Sequence, residues 1–308
     1  MPAAPTVTLL SGGGGGAKLA EGLARAVEDL TVVANTGDDA VIYGLSISPD
    51  LDTVMYTLAG LINRATGWGV DGDTFATLGA LGRLGADTWF TLGDQDLATH
   101  VRRTALLRAG ARLSEVTAEL TAALGVRARL LPMTDDRVAT QVETDAGLLP
   151  FQEYFVARRH RDAVRSVVLD GVEQAAPAPG VLEALAADVV VLGPSNPFLS
   201  IGPILAVPGV RAALAATSAR RVGVSPIVGG QALKGPAAAM LEALGHEVSA
   251  LGVARLYEGL LDVLVIDEQD AALAPAIRAL GMDVVVTRTV LGGAEDRERL
   301  AHELLAAA

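Results

Sequence analysis

Two kinds of group that belong to phosphate chemistry lie close together in the first hundred residues of this 308-residue chain. A glycine run, Gly12 to Gly16 in "LLSGGGGGAKLAEGLARA", follows a β-branched stretch and precedes a helical one. Such a turn offers backbone N–H groups to an anion, with the positive end of a helix behind them. The segment "LTVVANTGDDAVIYGLSISPDLDTVMYTLAG" then supplies Asp38, Asp39, Asp50 and Asp52, and "TLGDQDLATH" adds Asp94. Carboxylates one or two residues apart repel one another unless a cation relieves them. Hard oxygen ligands beside a diphosphate suit Mg²⁺, and a single neighbouring histidine, His100, argues against zinc. Asp38, Asp39, Asp50 and Asp94 are therefore the expected metal-side residues. The competing expectation is that Asp50 and Asp94 cap helices and Asp38 sits in a turn.

The cations are as selective as the acids. Of 24 basic residues only two are lysines, Lys18 and Lys234, and each stands beside a glycine-rich segment after an expected strand. Both are placed to meet phosphate. "GVSPIVGGQALKGPA", with Ser225 and Lys234, repeats the plan of strand, glycine turn and helix; "VLGPSNPFLSIGPIL", with Ser195 and Asn196, gives a third polar turn. Ligands of open α/β sheets gather outside the carboxyl ends of the strands. These turns are expected to line one crevice, with phosphate contacts from Gly12, Gly13, Gly14, Gly15, Lys18, Ser195, Asn196, Ser225 and Lys234. The spacing Gly12-x-Gly14-x-x-Ala17 also fits a relaxed dinucleotide fingerprint. The second strand, however, ends in Asn35 where a ribose-binding acid belongs. A Walker A loop fails at Ala17 and Leu19.

The elements that must position these groups follow from the apolar pattern. "TVTLL" (Thr6 to Leu10), "LTVVA" (Leu30 to Ala34), "DVVVL" (Asp188 to Leu192), "RVGVS" (Arg221 to Ser225), "DVLVI" (Asp262 to Ile266) and "DVVVT" (Asp283 to Thr287) read as strands buried on both faces. The expected fold is α/β, a Rossmann-like, mostly parallel sheet flanked by helices. Leu51, Val54, Met55, Leu58, Leu61 and Ile62 keep the 3.6-residue period, so a helix starts at "SPDLD" with Asp50 or Asp52 in its cap or first turn. From about Arg127 the rhythm changes to the alternation of antiparallel strands. The expected division is a glycine-loop part at 1–126, an inserted α+β region at 127–180, and a second part of the α/β domain at 181–308.

Composition removes other classes. A net charge of −12 leaves no broad basic footprint for nucleic acid or an anionic membrane. With no cysteine, disulfides, thiolate nucleophiles and Cys-based zinc sites are out. The start "MPAAPTVTLLSGGGGG" lacks a basic n-region and a long apolar h-region, so a cytoplasmic protein is expected.

Taken together and in order, "SGGGGGAKLAEGL", "VVANTGDDAVIYGLSISPDLDTVMYTL", "LGDQDLATH", "LLPMTDDRVATQVET", "LGPSNPFLSIGPILAVPGV" and "VSPIVGGQALKGPA" resemble the 2-phospho-L-lactate transferases of coenzyme F-420 biosynthesis. The resemblance runs from Thr6 to about Thr287. It implies transfer of a phospholactyl group, or in bacterial relatives a phosphoenolpyruvyl group, from its guanosine diphosphate derivative to the deazaflavin alcohol FO. GMP would leave, Mg²⁺ would be required, and the protein would be a homodimer. Carried over by position, the FO-contacting aspartate falls on Asp52, the expected catalytic residue, and a second FO-site position falls on Thr91. Two other readings compete. One is a nicotinamide-dependent oxidoreductase, undercut by Asn35; the other is a non-catalytic nucleotide-sugar-binding regulator of the gluconeogenesis-factor type, which would lack "SPDLDT" and "LGDQDLATH".

Overall fold

The computed structural model describes residues 5–308. Seven parallel strands form the central sheet: β1 (Val7–Ser11), β2 (Leu30–Ala34), β3 (Arg129–Pro132), β4 (Val189–Leu192), β5 (Arg220–Val224), β6 (Val263–Asp267) and β7 (Asp283–Thr287). Their spatial order is β7-β6-β5-β4-β1-β2-β3. The chain thus grows outward in one direction from β1 to β3, then returns to the other side of β1 for β4 to β7. The strand order reverses between β1 and β4, and such a switch point opens a crevice at the carboxyl edge.

Alternate side chains of the strands enter two separate apolar layers. Leu10, Val33, Val190, Leu192, Leu264 and Ile266 pack on one face. Leu9, Val32, Val191, Val222, Val263 and Val265 pack on the other. This is why the inner strands read as unbroken apolar runs. The six expected strands all appear, with two differences at the edges. β7 is an edge strand and is partly exposed instead of buried on both faces. Arg129–Pro132, expected within the insert, pairs in parallel with β2 as the opposite edge. Leu130 and Leu131 enter opposite apolar layers, but flanking arginines disguise them as an alternating pattern. The antiparallel sheet is confined to Ala139–Thr144, Gly147–Pro150 and Val164–Asp170.

Four helices matter for the site: α1 (Gly13–Ala26), α2 (Pro49–Leu58), α3 (Asp94–Arg108) and α4 (Ala294–Ala307). A Cβ at Gly22 of α1 would collide with the Arg297 carbonyl, so α1 and α4 meet backbone to backbone. Beside this contact, buried Glu21 is gripped by buried Arg297 and by Arg64. Among the described residues no single helix is long and apolar enough to cross a membrane.

Candidate functional site

The glycine turn lies at the switch point, and its glycines have separate reasons. Gly13 opens α1 at φ 65°, a conformation that favours glycine. A Cβ at Gly15 would strike the Pro194 carbonyl, and one at Gly16 would strike the Ser11 hydroxyl, so the turn after β4 presses directly on α1. Ser195 locks that contact: its hydroxyl accepts from Gly12 N at 3.3 Å and donates to Gly12 O at 2.7 Å. The next amide, Gly13 N, donates to Asp50 Oδ1 at 2.6 Å. Two of the turn's N–H groups therefore already have protein partners, and Gly14 and Gly15 supply the amides that an α-helix leaves unpaired.

Asp50 and Asp52 both stand in the first turn of α2, as the sequence pattern predicts, but they face different neighbours. Asp50 Oδ2 accepts from Asn35 Nδ2 at 2.9 Å. Asn35 also donates to Leu199 O at 3.2 Å and accepts from Gly37 N at 2.8 Å, so the residue that replaces a ribose-binding acid is spent as a buried strut. Burial pushes the Asp50 carboxyl up to about 6, against the pull of Asn35 and Gly13. Burial and then the charge of Asp50 push Asp38 well above the usual range. Burial does the same to Asp39, although the Ser48 hydroxyl donates to it at 2.6 Å. Asp38 Oδ1 and Asp39 Oδ1 are buried and accept no hydrogen bond.

Asp52 belongs to a second group, on the side of α2 that meets α3. Both of its oxygens are gripped by buried Arg103, one at 3.0 Å. Burial opposes the Arg103 charge, but Asp52 and then Asp39 hold its proton more firmly than usual. His100 Nδ1 lies 3.1 Å from Arg103 Nη1, and His100 Nε2 lies 3.1 Å from Asp96 Oδ1. Tyr56 closes the network by donating to Asp96 at 2.8 Å. Arg103, Asp96 and Tyr56 were not expected from the sequence. Their signal was available on α3, where Asp96, His100 and Arg103 follow the i, i+4, i+7 spacing of one helical face.

The two lysines lie close to one another near the glycine turn. Lys18 Nζ donates to Leu291 O and Lys234 Nζ to Thr66 O, each at 3.1 Å. Burial and then the charges of Arg297 and Lys234 lower the Lys18 pKa. Neither lysine has a carboxylate partner among the described residues.

Other expected site residues have different surroundings. Asp94 is half-buried and caps the helix Ala76–Arg83, accepting from Thr74 Oγ1 at 2.5 Å, Thr77 N at 2.9 Å and Ala76 N at 3.0 Å. Asp94 thus caps a neighbouring helix instead of its own, and its oxygens are already occupied by donors. Asn196 accepts from Phe198 N and Leu199 N, while the Ser225 hydroxyl closes on Ile227 of its own turn. Ser195, Asn196 and Ser225 thus brace the turns that wall the crevice. Thr91 is exposed, just before Leu92, which packs against Ile42 and Ile47. Among the described residues no three acidic or histidine side chains converge as a ready metal-ligand set. The unpaired oxygens of Asp38 and Asp39 nevertheless suit a hard cation that takes its remaining ligands from phosphate and water.

Fold and geometry define a doubly wound α/β protein whose glycine turn, paired lysines and buried acids gather at one switch point. The family model 2-phospho-L-lactate transferase CofD matches residues 7–287, and the chain belongs to that family of transferases. A phosphoenolpyruvate transferase of Streptomyces griseus is 49% identical over 285 residues, which is 90% of each chain. A 2-phospho-L-lactate transferase of Methanosarcina mazei is 41% identical over 297 residues, 96% of this chain and 97% of the relative. A crystal structure of a UPF0052 family member from Bacillus halodurans superposes with a TM-score of 0.69 at 17% identity, covering 98% of this chain and 99% of its own. That last likeness is one of fold.

Proposed function

We propose that the protein transfers a phospholactyl or phosphoenolpyruvyl group from its guanosine diphosphate derivative to FO, releasing GMP, in coenzyme F-420 biosynthesis. The observation that carries this reading is the pair of lysines without carboxylate partners beside the glycine turn, in a chain of net charge −12. Two cations held close together against their mutual repulsion form a site for a multiply charged anion.

A ribityl hydroxyl of FO attacks the phosphorus that bears the three-carbon acid, forming a new P–O bond while the bond to GMP breaks. The amides of Gly14 and Gly15, with Lys18 and Lys234, offset the donor's charge so that an alcohol can approach. Mg²⁺, held by Asp38 and Asp39 with Asp50 beside them, would add charge stabilisation for the diphosphate. Asp52, fixed by Arg103, orients the attacking hydroxyl. Positioning outweighs base strength here because the transition state of phosphoryl transfer is loose. Thr91 lies on the FO side of the site, and the active species is a homodimer, which light scattering should show as twice the chain mass.

The test is incubation of the purified protein with FO, Mg²⁺ and each of the two donors, with chromatography for the product and for GMP. NADH and UDP-sugars serve as binding controls. No product from either donor, together with tight binding of NADH or a UDP-sugar, would overturn the reading.

A further inference from the structure

Five buried side chains join α2 to α3: Asp52 and Tyr56 on the first, Asp96, His100 and Arg103 on the second. Asp52 and Tyr56 stand one helical turn apart and so share a face of α2. The helices are tied twice, by Arg103 donating to Asp52 and by the Tyr56 hydroxyl donating to Asp96 Oδ1 at 2.8 Å. His100 stands between the two ties, with Nδ1 3.1 Å from Arg103 Nη1 and Nε2 3.1 Å from Asp96 Oδ1. The five groups form a closed ring of contacts, and removing the imidazole opens it on the α3 side.

The donors in this ring fix the state of the imidazole. Arginine has N–H donors and no acceptor. The ring nitrogen that faces Arg103 must therefore be the accepting one, and the imidazole proton belongs on Nε2, beside the Asp96 carboxylate. Burial and then the charges of Asp52 and Asp96 raise the Tyr56 pKa, so Tyr56 keeps its proton and donates it to the same Asp96 oxygen. One N–H of Arg103 Nη1 goes to Asp52 Oδ2 at 3.0 Å, which leaves the other to His100 Nδ1 at 3.1 Å and the Ser46 carbonyl at 3.4 Å. His100 is the nearer acceptor. It is 1% exposed and Arg103 2%, so solvent does not stand in for a missing acceptor. His100 Nδ1 lies 3.7 Å from Asp52 Oδ2, beyond hydrogen-bond reach, and the imidazole acts on Asp52 through the guanidinium.

We propose that His100 is a positioning residue for the transfer: by accepting from Arg103 it fixes the plane of the guanidinium, and with it the direction in which Asp52 presents its carboxylate to the attacking hydroxyl. The inference rests on the role given to Asp52 above. A planar fork that grips both oxygens of a carboxylate passes its own tilt to that carboxylate. Misplacing an orienting group slows the chemical step while leaving the donor's contacts in place.

Steady-state kinetics of His100→Asn and His100→Gln, with FO and the active donor, test this. The asparagine oxygen takes the place of Nδ1 and can accept from Arg103; the glutamine amide takes the place of Nε2 and meets Asp96 instead. The asparagine variant should keep most of the wild-type kcat, while the glutamine variant should lose about 10–100-fold, the order of loss for a group displaced by about 1 Å. The donor KM should stay near wild type in both, and melting curves check the fold. Nitrogen NMR spectra of the wild type, with His100 identified as the one of four histidines that each variant lacks, should show a bare Nδ1 and a protonated Nε2. Equal kcat in the two variants, a loss confined to the donor KM, or a protonated Nδ1 overturns the positioning role while leaving the proposed function standing. A wild type that makes no product from either donor overturns both.

Discussion

Asp38, Asp39 and Asp50 are buried together, whereas Asp73 and Asp94 lie outward at the helix starts around residues 73–96, and the two groups use one side chain in opposite ways. Asp94 caps the helix Ala76–Arg83, while Asp73 accepts from Gln95 N and Asp96 N at the start of α3. The Thr74 hydroxyl and the Thr77 amide hold the Asp94 carboxyl below its usual range. The buried group lacks such a supply, and two of its oxygens accept nothing. Crowding of aspartates along the sequence therefore does not by itself make a cation site. What separates the groups is whether the fold provides enough N–H and O–H donors to satisfy each carboxylate.

The largest expected effect is at Asp52, which shares α2 with Asp50 but has its own cation. Asp52→Asn should slow transfer by at least about 100-fold, the low end of the loss for removed acid–base or orienting help. It should also cost about 3–5 kcal/mol of stability, because buried Arg103 is left uncompensated. Asp52→Leu combined with Arg103→Met should restore stability but not turnover, since an apolar pair of similar volume replaces a buried ion pair at little cost. Denaturant melts and rate assays on the three proteins check this. Equal recovery of activity and stability would make Asp52 purely structural.

Metal response should divide the two acid groups directly. Adding Mg²⁺ to chelated protein should raise the melting temperature of the wild type and of Asp94→Asn, but not of Asp38→Asn. EDTA should abolish turnover. A full Mg²⁺ shift in Asp38→Asn would remove that carboxylate from the metal side.

The pH response should follow the same division. Because the folded Asp50 pKa is raised from 3.8 to about 6, its contribution to stability is fully present below 3.8 and lost as pH rises through about 6. Melting of the metal-free wild type should fall relative to Asp50→Asn across that window. Asp94, whose folded pKa is lowered, contributes above its ordinary 3.8, and its contribution is lost at more acid pH. A parallel pH dependence of melting in the wild type and Asp50→Asn would contradict the assignment.

The smallest effect belongs to Asp94→Asn. Asparagine is a good cap, so only a slight fall in melting temperature and near-normal turnover are expected. A loss of activity as large as that of Asp52→Asn would return Asp94 to the site.

The parts of this arrangement legible in sequence are those set by local rules. The inner strands announce themselves because both faces are apolar, and α2 does so through the period of Leu51, Val54, Met55 and Leu58. Asp50 is placed correctly for the same reason, in the first turn of a helix that the pattern predicts. Edge strand β3 was hidden because only two leucines enter the apolar layers. The donors that distinguish Asp94 from Asp50 come from residues up to 20 positions away, and the Arg103 partner of Asp52 lies 51 positions away. Helical period and loop chemistry carry no information about pairings that only the tertiary fold creates. For the polar turns, the local bonds by which Ser195, Asn196 and Ser225 brace their own loops were not legible in the sequence.

The contact of α1 with α4 has a consequence for the order in which the molecule is made. Glu21 and Arg297 are 276 positions apart, so the helix behind the glycine turn cannot finish packing until residue 297 has emerged from the ribosome. At common synthesis speeds that delay is on the order of tens of seconds. During it, Gly22 has nothing against which to rest, and until residue 192 is made β1, flanked by strands from both halves, also lacks its β4 neighbour. Nascent chains arrested before residue 297 should leave α1 open to protease.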